Sequence, residues 1–348
     1  MANIALNAKN TSGKILVVGG AGYVGSATCA WLVDRGYEVW IVDDLSTGFR
    51  ELVLGSGFFK SRAGDVHSMR EFLSKHTTKP FDGVMHFAGS SLVGESTSRP
   101  DLYFENNVEQ TKQLIEVMLE FGISNFIFSS TCAVFGAPPT DRISESTPKK
   151  PINPYGHSKL EAEKLIEGYC DERGLQTIAL RYFNACGAEE KLRVGEMHDP
   201  ETHLIPNLLK AAITDASFEL TGDQYPTPDG TCIRDYIHVS DLALAHESAF
   251  KRLLSPNGIR KTPFETFNLG SENGYSVREV LVACEKITSL KIKTVIRPPR
   301  PGDPPKLVAD SSLAKSVLGF KLKYDSIESI LESAFSWQKK CLEKKTSK

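Results

Sequence analysis

Short apolar runs alternate with longer segments of helical periodicity along the first half of the chain. The six apolar runs are KILVVGG from residue 14, EVWIVDD from 38, FFKSRAGD from 58, DGVMHFAG from 82, NFIFSS from 125 and QTIALRYF from 176. Strands that alternate with helices are joined by right-handed crossovers, which place the strands in one parallel sheet with helices on both faces. The pattern therefore predicts an α/β fold with a doubly wound parallel sheet.

The longest predicted helix runs from Asp101 to Phe121. Its apolar residues recur at helical spacing, so we expect one buried stripe, formed by Val108, Leu114, Ile115, Met118 and Leu119.

After Asn184 the apolar runs become shorter and Pro-rich stretches separate them. We therefore divide the chain into a first domain, residues 1–184, and a smaller C-terminal α/β lobe, residues 185–348, some of whose elements return to the first sheet. Ser276 followed by Glu279 fits a capping box at the start of a helix. A final helix is expected over residues 325–345.

Composition narrows the kind of partner. Hydrophobic residues make up 41% and charged residues 24%, and 41 basic against 43 acidic side chains give a net charge of −2. This balance indicates a small-molecule partner and neither nucleic acid nor an anionic membrane surface. The seven cysteines are widely spaced without a C-x-x-C pair, which predicts reduced thiols and no metal site. With no run of about 18 apolar residues and no apolar leader, we expect a cytoplasmic protein.

A glycine-rich turn, GGAGYVG, directly follows the first predicted strand. Gly19, Gly22 and Gly25 have the spacing G-x-x-G-x-x-G, and Gly20, Gly22 and Gly25 fit G-x-G-x-x-G. Such a turn lets a pyrophosphate approach the main chain without a Cβ in the way, at the N-terminus of the next helix. The position between strand and helix predicts a Rossmann-type dinucleotide site.

The second predicted strand ends in Asp43 and Asp44, where an acid is expected to accept hydrogen bonds from the ribose hydroxyls of a dinucleotide. A carboxylate there repels a 2′-phosphate, so NAD is favoured over NADP. Arg50 lies close enough in sequence to keep NADP as an alternative.

Tyr155 and Lys159 lie four residues apart on a predicted helix, which places both side chains on one face. A phenol titrates near ~10 and needs cationic neighbours to act as a base at neutral pH. We therefore expect the Lys159 ammonium to favour the phenolate. The hydroxyl-rich strand end Ser129, Ser130 and Thr131 precedes the pair, and together they predict a hydride-transfer site.

Through these motifs, the chain resembles the extended short-chain dehydrogenase/reductase family and, within it, the UDP-glucose 4-epimerases. The resemblance runs from about residue 14 to the C-terminus. Beyond GGAGYVG and YGHSK, it is carried by HFAGSSLVGES, FENNV, SSTCAVFG, PINPYG, LRYFNACGA, HLIPNLL, GDQYPTPDGTCIRDYIHVSDLA and RPGDPP, in that order.

The resemblance implies three groups of site residues. The catalytic group is Thr131, Tyr155 and Lys159. The cofactor group is Gly19, Gly22, Tyr23, Val24, Gly25, Asp43, Asp44, Leu45, Ser46, Thr47, Gly48, Asp65, Val66, Phe87, Ala88, Gly89, Ser91, Asn106, Tyr155, Lys159 and Phe183. The nucleotide-sugar group is Thr131, Asn184, His203, Leu204, Arg234, Arg300, Asp303 and Leu307.

The implied activity is NAD-dependent inversion of carbon 4 of a UDP-sugar, interconverting UDP-glucose and UDP-galactose through a transient 4-keto sugar. UDP-N-acetylhexosamines and UDP-pentoses are alternative substrates. A nucleotide-sugar 4,6-dehydratase and a non-catalytic NAD-binding protein are further alternatives. Such dehydratases resemble S-T-D-E after the same strand, whereas Thr131 is followed here by Cys132 and Ala133.

Four positions depart from the family pattern. Thr131 replaces a serine, and Ser91 replaces a lysine that reaches the cofactor. His203 replaces an asparagine, and Leu307 replaces a bulky tyrosine near the sugar, which widens the expected pocket. The resemblance also implies a homodimer, in which the helices over residues 101–121 and 153–173 pair with those of a second copy.

Overall fold

The structure, a computed structural model, describes residues 12–255, 262–300 and 303–346. The strands are β1 Lys14–Val18, β2 Glu38–Asp43, β3 Gly57–Lys60, β4 Gly83–His86, β5 Asn125–Thr131, β6 Gln176–Tyr182, β7 Asn184–Cys186, β8 Ser217–Thr221, β9 Ile233–His238, β10 Phe264–Leu269, β11 Gly274–Ser276, β12 Lys293–Arg297 and β13 Lys306–Leu307. The helices are α1 Tyr23–Asp34, α2 Val66–Ser74, α3 Val93–Ser98, α4 Pro100–Phe104, α5 Gln110–Glu120, α6 Pro154–Arg173, α7 Leu204–Thr214, α8 Val239–Leu254, α9 Val277–Thr288, α10 Ser312–Leu318 and α11 Ile327–Thr346.

Seven parallel strands form the main sheet, in the order β10-β6-β5-β4-β1-β2-β3. One face packs against α1, α8 and α10, and the other against α2, α5 and α6. All six predicted strands occur in this sheet, although the third is only four residues long. The predicted doubly wound Rossmann-type fold is confirmed.

The helix predicted over residues 101–121 is not one regular α-helix. A π-helical segment, Glu105–Glu109, joins α4 to α5. Leu114, Ile115 and Met118 are buried as expected. The wider π turn changes which residues face inward: it buries Asn107, which donates to Ser158 Oγ on α6 at 2.9 Å.

The second half of the chain contributes to both parts of the molecule. β10, α8 and α10 return to the main sheet, whereas α7, α9 and α11 surround a separate apolar core. β9 pairs with β7, β11 and β13 beside that core, and β8 pairs with β12. The capping box is present at α9, where Ser276 and Glu279 exchange hydrogen bonds. The domain boundary at residue 184 stays a prediction.

Within the described ranges, none of the helices combines the length and the apolar character that crossing a bilayer requires.

Asp235 on β9 ties three segments of the C-terminal half together. Its Oδ1 accepts hydrogen bonds from the backbone N–H and the hydroxyl of Ser271, both at 2.8 Å. Its Oδ2 accepts from the backbone N–H groups of Glu272 and Ala309, both at 3.0 Å. The side chain is fully buried, and burial raises its pKa to about 6 despite these four donors.

Replacing Asp235 with Ala leaves three backbone N–H groups without an acceptor, while the Ser271 hydroxyl keeps only the Asn273 carbonyl at 3.4 Å. An unsatisfied buried donor costs ~1–3 kcal/mol, so we expect Asp235→Ala to lower the free energy of unfolding by about 3 kcal/mol or more, measured by urea titration. Asp141→Ala is the matched control, since that carboxylate is exposed and pairs only with Lys306. Equal midpoints for the two variants would contradict the role of Asp235.

Candidate active site

The segments that follow β1 and β4 meet at the carboxyl edge of the main sheet, where the connections diverge to opposite faces. The backbone N–H groups of Phe87 and Ala88 both donate to the carbonyl of Val18, at 2.7 and 3.1 Å. In doubly wound sheets a ligand binds in the crevice outside such a switch point. The glycine turn and residues 87 and 88 therefore lie side by side at this edge, and their role in binding a cofactor stays a prediction.

The three glycines of the turn serve different purposes. Gly19 has a φ of +84°, and a Cβ on it would lie 2.3 Å from the nitrogen of Ala88. A Cβ on Gly25 would lie 2.2 Å from the carbonyl oxygen of Gly19. A Cβ on Gly22 would meet, among the described atoms, only that oxygen at 3.5 Å. Gly22 therefore leaves space at the N-terminus of α1 that a phosphate group fits.

The turn after β2 is folded around Asp43. The Asp43 carboxylate accepts from the backbone N–H of Ala21 in the glycine turn at 2.9 Å and from that of Leu45 at 2.8 Å. Each carboxylate oxygen keeps acceptor capacity for a ribose hydroxyl. Arg50 does not point at this carboxylate, because its guanidinium lies 4.2 Å from the centre of the Phe58 ring. This arrangement favours a free ribose over a 2′-phosphate.

Three further predicted cofactor residues, Asp65, Asn106 and Ser91, differ in the contacts that their side chains make. Asp65 caps α2 and accepts from the backbone N–H and the hydroxyl of Ser68, at 3.0 and 2.8 Å. Asn106 lies on the π-helical segment and donates to Ser90 Oγ at 2.9 Å. Ser91, which replaces the family's lysine, is exposed.

The predicted catalytic hydroxyls meet where β5 ends and α6 begins. Asn153 caps α6 by accepting from the backbone N–H of Gly156 at 2.8 Å, which fixes the first turn of the helix and hence Tyr155. Thr131, the last residue of β5, lies close enough to the Tyr155 phenol for its hydroxyl to lower the pKa of that phenol. The structure thus brings together two residues that lie 24 positions apart in the sequence.

The Lys159 ammonium lies beneath this pair in a buried position. Its Nζ donates to the carbonyl of Ser129 at 3.0 Å and lies 4.8 Å from the centre of the Phe128 ring. Burial lowers the pKa of Lys159 to about 8, although the negative charge of Glu163 acts in the opposite direction.

In the protein without cofactor, the pKa of Tyr155 lies above the ordinary value of a phenol. Burial raises this pKa, and the neighbouring Thr131 hydroxyl opposes the rise. Lys159 directs its ammonium to the Ser129 carbonyl. The expectation that Lys159 and the charge of an oxidised cofactor together favour the phenolate stays a prediction.

A buried ion pair supports the site, and the motifs did not predict it. Glu163, one turn after Lys159, accepts from Arg181 Nε and Nη2 at 2.8 and 2.7 Å and from Ser130 Oγ at 2.6 Å. Arg181 is fully buried on β6. A single charge within the apolar run QTIALRYF is the signal that could have revealed it, because a buried arginine requires a partner.

The predicted nucleotide residues gather around β9. Arg234 forms an ion pair with Asp303, and both interact electrostatically with Tyr225, as does Arg300. Arg234 also interacts with Cys132, the residue after Thr131. Arg234 therefore lies near the end of β5 that carries Thr131, and arginine is the side-chain type that binds phosphate groups with two donors.

Other predicted substrate residues border the same region. Leu307 pairs with Arg234 across β13 and β9, is 9% exposed, and packs in one apolar cluster with Phe183 and Cys132. Asn184 donates to the carbonyl of Asp235 at 2.9 Å. Leu204 begins α7, whereas the ring of the preceding His203 turns toward Glu201.

Comparison with known proteins agrees with this geometry. The sequence pattern of the NAD dependent epimerase/dehydratase family matches residues 15–270. The chain belongs to this family. It is 43% identical over 326 residues to a UDP-glucose 4-epimerase of Halalkalibacterium halodurans, which covers 93% of this chain and 95% of the relative.

Solved structures of the family superimpose on the whole fold. A UDP-glucose 4-epimerase of Brucella ovis in complex with NAD has a TM-score of 0.87 at 42% identity, covering 93% of this chain and 98% of the other. The enzyme of Bifidobacterium longum in complex with NAD+ and UDP has a TM-score of 0.86 at 35% identity, covering 94% and 98%. The resemblance to UDP-glucose 4-epimerases is confirmed.

The glycine turn yields a matched pair of variants. Gly22→Ala adds a methyl group where the chain leaves space, so we expect the thermal midpoint of the cofactor-free protein to stay within a few degrees while bound NAD is lost. Gly25→Ala places its Cβ against the Gly19 carbonyl and should lower the midpoint itself. Unfolding curves and the NAD content of purified protein distinguish these effects. A Gly22→Ala protein that retains full NAD would show that the phosphates lie elsewhere.

Replacing Lys159 with Met removes a buried charge of depressed pKa. At neutral pH the wild-type chain carries the cost of burying the ammonium, so Lys159→Met should unfold at an equal or higher temperature while losing turnover. Between the folded pKa of about 8 and the unfolded value of 10.5, the unfolded state binds more protons. Wild-type stability relative to the variant should therefore rise with pH across that window. A difference in melting temperature that is independent of pH would contradict the depressed pKa.

Proposed function

We propose that the chain catalyses the NAD-dependent interconversion of UDP-glucose and UDP-galactose by inversion at carbon 4. The observation that carries the proposal is that Thr131 and the Tyr155 phenol lie together at the end of β5, with the Lys159 ammonium bonded to the Ser129 carbonyl, beside a glycine turn with open space at Gly22. The family membership and the close relatives support the same activity.

The residues of the crevice fit a dinucleotide. Gly22 leaves room for the pyrophosphate, the Asp43 carboxylate faces the same turn, and a Cβ on Gly89 would lie 3.4 Å from Lys159 Nζ, so main chain and ammonium are close there. When bound, NAD supplies a two-electron acceptor and a positively charged ring at this edge. The chain's own contribution is to orient the sugar and to move one proton.

Tyr155 is the group that moves the proton. Its Oη takes the proton of the sugar 4-hydroxyl as the carbonyl forms, and returns it to the same oxygen when carbon 4 is reduced from the other face. Thr131 Oγ1 hydrogen-bonds Tyr155 and orients the reacting oxygen. Because burial raises the pKa of Tyr155, the phenol keeps the sugar proton until it is returned to the sugar oxygen. A nearby positive charge is needed to form the phenolate that accepts this proton first.

The nucleotide end holds the substrate while the sugar turns. Arg234 and Arg300 bind the diphosphate, since arginine side chains match phosphate geometry with two donors each. Around the sugar, Leu307, Phe183 and Cys132 present apolar surface. Binding energy concentrated on UDP leaves the hexose free to present either face.

The dehydratase alternative lacks a suitable group at the position after Thr131. Elimination of water from the sugar needs an additional acid and base. Burial raises the pKa of Cys132 to about 12, so its side chain remains a thiol at neutral pH, and Ala133 carries no polar group.

We further propose a homodimer formed through the helical face that carries α4 and α6. Phe104 at the end of α4 is 38% exposed and Ile152 just before α6 is 45% exposed. Leu165 and Tyr169 on α6 are partly exposed on the outer side of the same helix. Light scattering at micromolar concentration tests the pairing, and the mass of a single chain would contradict it.

We also propose a cytoplasmic location. The chain has seven cysteines at wide spacing. Cys29, Cys186 and Cys284 are buried in apolar cores, where they serve as small hydrophobic residues. Fractionation of the source cells tests this location, and recovery of the protein outside the cytoplasm would contradict it.

Tyr155→Phe tests the proposed proton transfer directly. The change removes one oxygen and keeps the ring, so NAD content and melting temperature should be preserved while kcat falls by about 10²–10⁴-fold with little change in KM. Tyr324→Phe, which removes the phenolic oxygen of a half-buried tyrosine packed on the C-terminal apolar core, is the matched control for fold and assay. A Tyr155→Phe protein that retains NAD and near wild-type turnover would exclude Tyr155 as the acid/base.

Leu307→Tyr tests the width of the sugar pocket. Leu307 packs with Phe183 and Cys132, so a larger ring there should project toward the sugar and exclude an N-acetyl group at carbon 2. We expect kcat/KM for UDP-N-acetylgalactosamine to fall by about 10-fold or more relative to that for UDP-galactose, as a steric clash of ~1–3 kcal/mol would produce. Equal effects on both substrates would place Leu307 outside the pocket wall.

A further inference from the structure

Four metal-ligating side chains converge in the segment between β7 and α7, outside the catalytic edge. They are Glu196, His198, Glu201 and His203, and one ligand atom of each lies within 4.8 Å of all the others. The order of these residues in the sequence is Glu-x-His-x-x-Glu-x-His. We infer that this cluster is a binding site for a divalent transition-metal ion, with zinc as the ion that best fits two imidazoles and two carboxylates.

The separations between the ligand atoms match those of a tetrahedral site. Nδ1 of His198 lies 3.7 Å from Glu196 Oε1 and 3.4 Å from Glu201 Oε2. Nδ1 of His203 lies 3.1 Å from oxygens of both glutamates. Ligands about 2.0–2.2 Å from one zinc ion in a tetrahedron are about 3.3–3.6 Å apart, so the widest pairs, up to 4.8 Å apart, would close by about 1 Å to bind it.

Unsatisfied polar atoms in the cluster point to a missing cation. Among the described residues, the buried atoms Glu196 Oε1 and His198 Nδ1 have no hydrogen-bond partner, and the 3.1 Å contact of Glu196 with His203 lacks hydrogen-bond alignment. The side chain of Glu196 is only 6% exposed. Orphaned buried groups of this kind are costly, and a shared metal ion would satisfy both at once.

Surrounding contacts hold the ligands in place as the outer contacts of a metal site do. Glu201 Oε1 accepts from the backbone N–H groups of Thr202 and His203, both at 2.9 Å. The backbone carbonyl of Glu196 accepts from the indole of Trp337 at 3.1 Å.

The location suggests a structural metal and not a catalytic one. The His198 ring packs edge-to-face on Tyr23, the first residue of α1, with centroids 6.2 Å apart, and His203 caps the start of α7. A metal ion here would fasten residues 196–203 to the helix that follows the glycine turn. The inference departs from the prediction of no metal, which rested on the absence of C-x-x-C pairs, because this cluster contains no cysteine.

A proton is the rival occupant of the cluster. Burial opposes a charge on His203, but the two glutamates raise its pKa to about 10, so a protonated imidazole between two carboxylates would also offset part of their negative charge. The two occupants predict different responses to zinc. Metal binding adds stability that grows with the logarithm of the free ion concentration, whereas a protonated cluster gains none.

The test uses full-length, untagged protein that has been freed of metal with a chelator and dialysed against zinc. We expect about one zinc ion per chain by mass spectrometry of the metal content, together with a melting temperature that rises by several degrees over that of the metal-free protein. The double variant Glu196→Gln, His203→Ala should retain little zinc and show no such rise. His67→Ala, an exposed histidine on α2, is the matched control and should bind zinc like the wild type.

X-ray absorption at the zinc edge of the wild type keeps the test independent of how the variants fold. We expect imidazole and oxygen ligands at about 2.0–2.2 Å and no sulfur. Zinc content far below one per chain, sulfur in the ligand shell, or equal zinc retention by a folded double variant would overturn the inference. A melting temperature of the wild type that does not respond to zinc would assign the cluster to a proton.

Discussion

Burying the Lys159 ammonium at the carboxyl edge of the sheet is unfavourable, and the surrounding structure is arranged to offset that cost. The Ser129 carbonyl accepts its hydrogen bond, the Phe128 ring lies beside it, and Glu163 supplies a negative charge one helical turn away. Glu163 is itself held by Arg181. These contacts join β5, β6 and α6, and two of these elements, β5 and α6, carry Thr131 and Tyr155.

Burial also sets the chemistry of this edge. When a phenol and an ammonium are shielded from water, their pKa values shift in the directions that favour the neutral forms, as for Tyr155 and Lys159. A positively charged ligand ring entering the crevice would therefore change the proton affinity of Tyr155 more strongly than it could in water. The acid/base group thus becomes reactive when the crevice is filled, and proton transfer is coupled to binding.

Features that depend on local spacing could be predicted from the sequence, and features that depend on distant contacts could not. The six strands, the glycine turn and the Tyr155–Lys159 pair follow from runs of residues within one element. The π-helical segment could not be predicted, because its apolar spacing resembles that of an α-helix. The inward position of Asn107 depends on hydrogen bonds to Ser90 and Ser158, which lie elsewhere in the sequence.

Strand β10 and the Glu163–Arg181 pair were missed for the same reason. FETFNL is a short run that becomes a strand because β6 offers it a parallel edge. Sequence spacing shows that Tyr155 has a charged neighbour but does not show how far its phenol is buried. Burial depends on the whole fold, and in the protein without cofactor it raises the pKa of Tyr155.

The fate of the hydrogen on carbon 4 tests the central claim most directly. UDP-galactose carrying deuterium at carbon 4 is incubated with the purified protein in ordinary water without added cofactor, and the UDP-glucose formed is analysed by mass spectrometry and NMR. If Tyr155 exchanges only the oxygen-bound proton, the deuterium remains at carbon 4 with inverted configuration. Loss of the deuterium to water would show that the carbon-bound hydrogen leaves as a proton, and would contradict the account.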